Sequence, residues 1–536
     1  MTTILDRTGF LQTGLRYATS YLRRAPSDLR PFLKPALLLL AITGVASFAG
    51  LVVAILGWIG LVAFASLFLV GVVLFDFRIG VVALMMLYPL TTARFLPSYA
   101  GINPLNLAVV GTVFSYLLHR YSHPVDYRLF DRKLIVLYLL PFFVSGISGA
   151  TKAGGLVGLT GDELLYGTPT GFFLYYVVKP SILILMAVLI AAAVRESKQP
   201  RRFIYPFAIA AVMPAILVAI YVLLSGVGLS ELVQFRSFLS VLGLHANQFA
   251  VVINFGLAVL MFTALSAQSM VLRGWLLVLA AILAMALALT FSRGGYMGFV
   301  VTVLAYFAYY RNWRALFFGI LVIGVTLPFI PDAIIDRVTL GWTHGQSEQL
   351  SSGRLDDIWL PLLPKVLESP LLGHGAAYVW RSDLVSSGRI PLVGQAHNAY
   401  LDLLLEMGLV GFVLVLAFYR SMFLQHRTLS GSDPDALLRG FFRGAAVGVL
   451  TVLVQALTDD RLVPNQQQMF MWMAYGIMIG RRPDMLKFSA NRVVLNKRPA
   501  ERVLDLARRP FPQHAKPAHS KNGNRNGLRF DGSGNR

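Results

Sequence analysis

NQFAVVINFGLAVLMFTALSAQSMVLRGWLLVLAAILAMALALTFSRGG, residues 247–295, decides the fold. It holds two apolar runs, 247–267 and 274–291, each near the roughly 20 residues that cross a hydrocarbon core of about 30 Å. The pattern repeats along the chain, with spans expected near 36–54, 57–75, 79–96, 105–118, 134–149, 173–194, 203–225, 295–310, 315–331, 399–419, 441–458 and 467–480. A chain of 536 residues that is 56% hydrophobic and 14% charged fits this reading: an all-α polytopic integral membrane protein with about 12–14 transmembrane helices.

Charge orients the spans. The segments 121–133, 195–202, 311–314 and 420–439 are basic and fall on one side of the count, which the positive-inside rule assigns to the cytoplasm. Residues 1–34 carry six Lys/Arg against two acidic residues and residues 481–536 fourteen against four, so +14 of the formal +21 sits in the two tails. That distribution explains the basic balance without a nucleic-acid partner. The expected organisation is a basic cytoplasmic N-terminal segment (1–34), transmembrane helices about 1–11 (35–331), one large periplasmic loop with short helices (332–396), transmembrane helices about 12–14 (397–480) and a basic, Gly/Asn-rich, largely disordered cytoplasmic tail (481–536). Both termini then lie in the cytoplasm. The first apolar run extends well beyond the core of a signal peptide, so no cleavable leader is expected. The chain has no cysteine, which removes disulfides, thiolate metal sites and cysteine nucleophiles.

Polar chemistry gathers in residues 351–406, where SSGRLDDIW, GHG and AHNAYLDLLLEMGLVGF lie between apolar spans. Arg354 sits where Ser351 or Ser352 can cap a short helix with Leu355, Ile358, Trp359 and Leu362 on its apolar face, a helix expected along the membrane surface. Helix amides beside a guanidinium attract an anion, whereas a solvated arginine on an ordinary amphipathic helix is the plainer reading. Arg293, in TFSRGGYMGF at the external end of a span, is either an interfacial arginine that snorkels or a fork held for a phosphate. His397 stands at the start of a helix, where imidazole either takes a proton from a sugar hydroxyl or serves as a structural hydrogen-bonder. Asn398 beside it orients the imidazole or binds sugar.

Other patterns carry less. His119 and His123 have i, i+4 metal-ligand spacing but no acidic third ligand close by in the sequence, and Asp433 and Asp435 read as helix caps. Asp356 and Asp357 are adjacent, diverging by about 100° on a helix, so they do not share a metal. Arg94 and Lys179 are the main ionisable residues inside apolar spans, too few for the charged central cavity of a transporter.

Taken together, HANQFA (245–250), SRGG (292–295), SGRLDDIW, GHG and AHNAYLDLLLEMGLVG, spread over residues 236–411, resemble the O-antigen ligase and Wzy-type polymerase superfamily of bacterial membrane glycan transferases. The resemblance implies a GT-C-like helical fold in the bacterial cytoplasmic membrane and an active site facing the periplasm. It implies an undecaprenyl-diphosphate-linked glycan donor engaged by Arg293 and Arg354, with His397 as the catalytic histidine. It implies a metal-independent, inverting transfer without cofactor, to lipid A core in a ligase or to a lipid-linked glycan in a polymerase. The chain departs from the family's usual twelve spans by about two, and by its long basic tail.

Overall fold

In the computed structural model, the described residues are 71, 73–93, 104–123, 130–156, 158–159, 164, 166–225, 239–311, 353–458 and 461–482. The expected spans 36–54 and 315–331, nearly all of 57–75, residues 1–34, most of the 481–536 tail and the caps Ser351 and Ser352 lie outside them. Among the described residues every regular element is helical, and seven helices are long and apolar enough to cross a membrane. The chain is an all-α, multi-pass membrane protein.

The helices, in chain order, are α1 (Phe77–Leu87), α2 (Pro104–Ser122), α3 (Arg132–Ala150), α4 (Pro169–Glu196), α5 (Pro200–Leu224), α6 (Ala246–Ser266), α7 (Met270–Ala288), α8 (Arg293–Tyr310), α9 (Leu360–Glu368), α10 (Ala399–Ser432), α11 (Ala436–Gln455) and α12 (Met469–Arg481). Wide turns at Ile135–Leu139 and Leu174–Val178 interrupt α3 and α4, and a third, Leu355–Trp359, leads into α9.

The centre of the bundle is α6, buried on nearly all sides and packed along α11. Gly440, Gly444 and Gly448 line one face of α11 at intervals of four. A Cβ on Gly444 would stand 2.6 Å from the Ala258 carbonyl, and one on Gly448 would stand 2.7 Å from the Phe255 ring. Lipid offers no hydrophobic drive for helix association, so small residues that let backbones approach supply the packing instead. The same device joins α12 to α4, where a Cβ on Gly476 would meet the Ala187 carbonyl at 2.5 Å. Behind it Tyr138, Phe418 and Trp472 form an aromatic core, with Tyr138 and Phe418 ring centroids 4.7 Å apart.

One end of the bundle carries a layer of ion pairs. Asp433 pairs with Arg481 at 2.8 Å, Asp131 with Arg482 at 2.6 Å, and Arg195 donates to the Arg482 carbonyl at 2.9 Å. Asp435 caps α11 by accepting from the Leu437 and Leu438 amides, as its sequence position suggested. His119 differs from expectation: folding α2 beside α4 brings the Glu196 carboxylate within 2.7 Å of its imidazole, an acidic neighbour hidden by a separation of 77 residues. Among the described residues no three His, Asp or Glu side chains group to hold a metal.

The opposite end carries residues 353–398. There α9 buries Leu362, and the turn before it buries Ile358, in a small core with Tyr378, Val379, Leu384 and Leu405. Leu360, Leu363 and Leu367 are exposed along the outer side of α9, an apolar stripe at helical spacing.

Candidate functional site

The helix carrying the AHNAY motif begins at Ala399 rather than at His397. Asn398 is its N-cap, and its side-chain oxygen accepts from the Tyr400 and Leu401 amides at 3.1 and 3.2 Å. Capping satisfies amides that a helix start leaves orphaned, so the Asn398 carbonyl is committed to the helix. His397 stands just outside, with a left-handed backbone (φ 53°).

A non-glycine residue in that region costs about 1–2 kcal/mol and persists where its surroundings fix it. Here three bonds do so. Trp359 Nε1 donates to the Ala396 carbonyl at 2.8 Å, the Ala396 amide donates to the buried Asp402 carboxylate at 2.9 Å, and the Ala399 amide donates to the Ala456 carbonyl at 2.9 Å. The half-buried imidazole is thereby presented from a pinned peptide.

Ala456 opens the turn that ends α11, and the other two candidates meet the same turn. Arg354 donates through Nη1 to the Thr458 carbonyl. Gly294, next to Arg293, lies against the Thr458 side chain so closely that a Cβ there would collide with its hydroxyl. Arg293 is the first residue of α8, half-buried, behind the cap Ser292, whose hydroxyl accepts from the Gly295 amide at 3.1 Å and donates to Asn247 Oδ1 at 2.9 Å. Asn247 belongs to the HANQ motif, in which His245 and Gln248 form a reciprocal cap on α6. Beneath the turn Asn254 donates both to the Gly295 carbonyl at 2.8 Å and to Gln455 at 3.1 Å, tying α6, α8 and α11 together inside the bundle.

The structure therefore brings Arg354, Gly294 beside Arg293 and the start of the helix after His397 to residues 456–458. That turn went unnoticed in the sequence, although Asn254 and Gln455, amides set within apolar runs, were a signal that these spans share a polar contact.

The GHG motif has a main-chain role. α10 breaks at Gly408 (φ 63°), and the 369–377 loop seats in the break: the His374 amide donates to the Leu405 carbonyl at 2.7 Å, Gly375 to Glu406 at 3.0 Å and Leu409 to Pro370 at 2.8 Å. The Glu406 side chain accepts from the Ala377 amide at 2.7 Å, and Arg381 donates to the carbonyls of His374, Gly375 and Ala376. Burial holds the Arg381 guanidinium below its usual pKa, opposed by the Glu406 carboxylate. A second arginine, Arg461, donates to the Gly394 carbonyl at 2.9 Å and lies 5.3 Å from the centre of the Tyr176 ring. Neither arginine stood out in the sequence.

No curated protein matches the chain. The family model for O-antigen ligase matches residues 276–416, which include Arg293, Arg354 and His397 and stop short of the 456–458 turn. That match lies on the helices and motifs described and supports an O-antigen ligase- or polymerase-type membrane enzyme of surface glycan biosynthesis.

Proposed function

We propose that this protein transfers a glycan from an undecaprenyl-diphosphate donor to an acceptor sugar hydroxyl on the outer face of the bacterial cytoplasmic membrane. The observation that supports the reading is the shared turn: Arg354, Gly294 beside Arg293 and the first residue of the helix beyond His397 all meet residues 456–458. Two guanidiniums on segments that meet at one turn offer forked donors to the departing diphosphate, where negative charge builds in the transition state. His397 Nε2 or Nδ1 takes the acceptor hydroxyl proton as the oxygen attacks the anomeric carbon, which inverts that centre. General-base help of this kind contributes roughly 10²- to 10⁴-fold in rate. The arginines supply the positive charge this transfer requires without a metal. Asn398 positions the imidazole through the cap it makes on α10.

Ligase-type transfer to lipid A core is the favoured reading, and polymerisation onto a lipid-linked glycan uses the same donor chemistry. Incubation of purified protein with a lipid-diphosphate-linked repeat, with and without lipid A core, tests both. Core-linked product marks a ligase and longer lipid-linked chains a polymerase. Release of neither product under conditions where the protein stays folded refutes transfer.

A further inference from the structure

Lys179 is an ammonium on the outer surface of the bundle, beside exposed Leu174, Tyr175 and Val178. Arg195 lies in the ion-pair layer at one end of the bundle, and Lys179 lies 16 residues away on the same helix, about 24 Å at 1.5 Å per residue. Taking that layer as one face of a core of roughly 30 Å places its Cα about 6 Å inside the other, within reach of phosphates for a side chain that snorkels. A charge at this depth is costly without a counter-charge. Among the described residues Lys179 makes no ion pair or hydrogen bond, and its ammonium lies 5.2 Å from the centre of the Tyr175 ring.

From Tyr175 a chain of rings and cations leads inward. Tyr175 meets Tyr176 edge-on at 5.2 Å, Arg461 lies 5.3 Å from the Tyr176 ring, and Arg461 donates to the Gly394 carbonyl at 2.9 Å, three residues before His397. Arg461 also lines, with Gln455 and Ala456, a small cavity under the 456–458 turn. A lipid anchor that stays in the bilayer while its headgroup reaches the site needs positive charge at the lipid face and along the way.

We propose that Lys179, backed by Tyr175, is a docking site for the diphosphate of the membrane-anchored donor, at the start of a lateral path along Tyr176 and Arg461 to the transfer site. This rests on the transfer reading above, and bulk phospholipid headgroups are the competing source of the same phosphate chemistry. The test uses the full chain reconstituted in phosphatidylcholine vesicles, with or without phosphatidylglycerol, and bare undecaprenyl diphosphate as probe. Lys179→Met is expected to weaken probe binding about fivefold in both vesicle types, the effect of one lysine near a membrane surface. In turnover it raises KM for the lipid-linked donor and leaves kcat unchanged, and Lys179→Arg restores both measurements. Tyr175→Leu, a second variant that keeps the charge, weakens binding by less. Binding of Lys179→Met within twofold of wild type overturns the proposal, as does a loss seen only with phosphatidylglycerol, which marks an ordinary headgroup anchor. Lys179-dependent binding by a protein that transfers no glycan supports this site and refutes the transfer reading alone. Full transfer indifferent to Lys179 does the reverse.

Discussion

Arg354 donates to the main-chain carbonyl of Thr458 across 104 residues of sequence, and Gly294 packs against the side chain of that same threonine. One turn thus fixes two segments that each carry an arginine, while its neighbour Ala456 accepts from the helix that follows His397. The segments that carry all three candidates meet at residues 456–458.

Gly294→Ala adds a methyl where the Thr458 hydroxyl already sits, and overpacking of this kind costs about 1–3 kcal/mol. Glycan transfer is expected to fall about tenfold or more, since each 1.4 kcal/mol is a factor of ten. Thr458→Ala removes the obstructing side chain and leaves the carbonyl that Arg354 uses, so the double variant recovers part of the lost rate. A double variant no better than Gly294→Ala shows that the contact does not position the site.

His397→Gly separates stability from function. The left-handed backbone at φ 53° suits glycine, so the variant is expected to unfold at the same temperature as wild type or a higher one, gaining up to about 1 kcal/mol from relieved strain. His397→Ala keeps the strain and unfolds below His397→Gly. Neither retains transfer. A His397→Gly variant that unfolds well below His397→Ala contradicts the strained geometry.

Gly408→Ala strikes the break in α10, where φ is 63° and a Cβ would press on the Leu371 main chain. The 369–377 loop is expected to leave its seat. Limited proteolysis at that loop measures the change, with cleavage faster in the variant. Unchanged cleavage shows that the kink does not hold the loop.

Acidity acts on the same segment through Lys365, which bridges Glu368 at 2.9 Å and Asp383 at 3.0 Å. The bond from Lys365 holds the Asp383 carboxyl below its usual range, and the bonds to Glu368 and Asp383 push the Lys365 ammonium up. A depressed carboxylate stabilises above its unfolded pKa of about 3.9 and loses that effect as pH falls through the folded value. A raised lysine stabilises below about 10.4 and loses the effect as pH rises. The protection factor of the α9 amides, which removes the intrinsic pH dependence of exchange, is therefore expected to be level from about pH 5 to 9 and to fall below about pH 4. Asp383→Asn removes the acid-side change. A transition near neutral pH that Asp383→Asn abolishes contradicts this assignment.

Hydropathy located the spans because desolvation of the backbone leaves helices as the way across a bilayer: the runs 247–267, 274–291 and 467–480 correspond to α6, α7 and α12. Helix ends were less legible, because caps set them rather than hydrocarbon. Asp435 starts α11 five residues before the apolar run at 441, Asn398 moves the start of α10 past His397, and α10 continues beyond residue 419 through the basic stretch to Ser432. Arg293, Arg354 and His397 were visible as polar residues in glycine-marked motifs. The meeting of their segments at residues 456–458, the Glu196 neighbour of His119 and the seating of GHG against Glu406 are tertiary contacts between distant segments, which no local pattern encodes.

The central claim is that Arg293, Arg354 and His397 form one transfer site, and the direct measurement is the initial rate of glycan transfer from a lipid-diphosphate-linked donor by Arg293→Ala, Arg354→Ala and His397→Ala in reconstituted vesicles. The predicted result is a loss of about 10²-fold or more in each variant, with membrane insertion retained. A transfer rate near wild type in any of the three would contradict it.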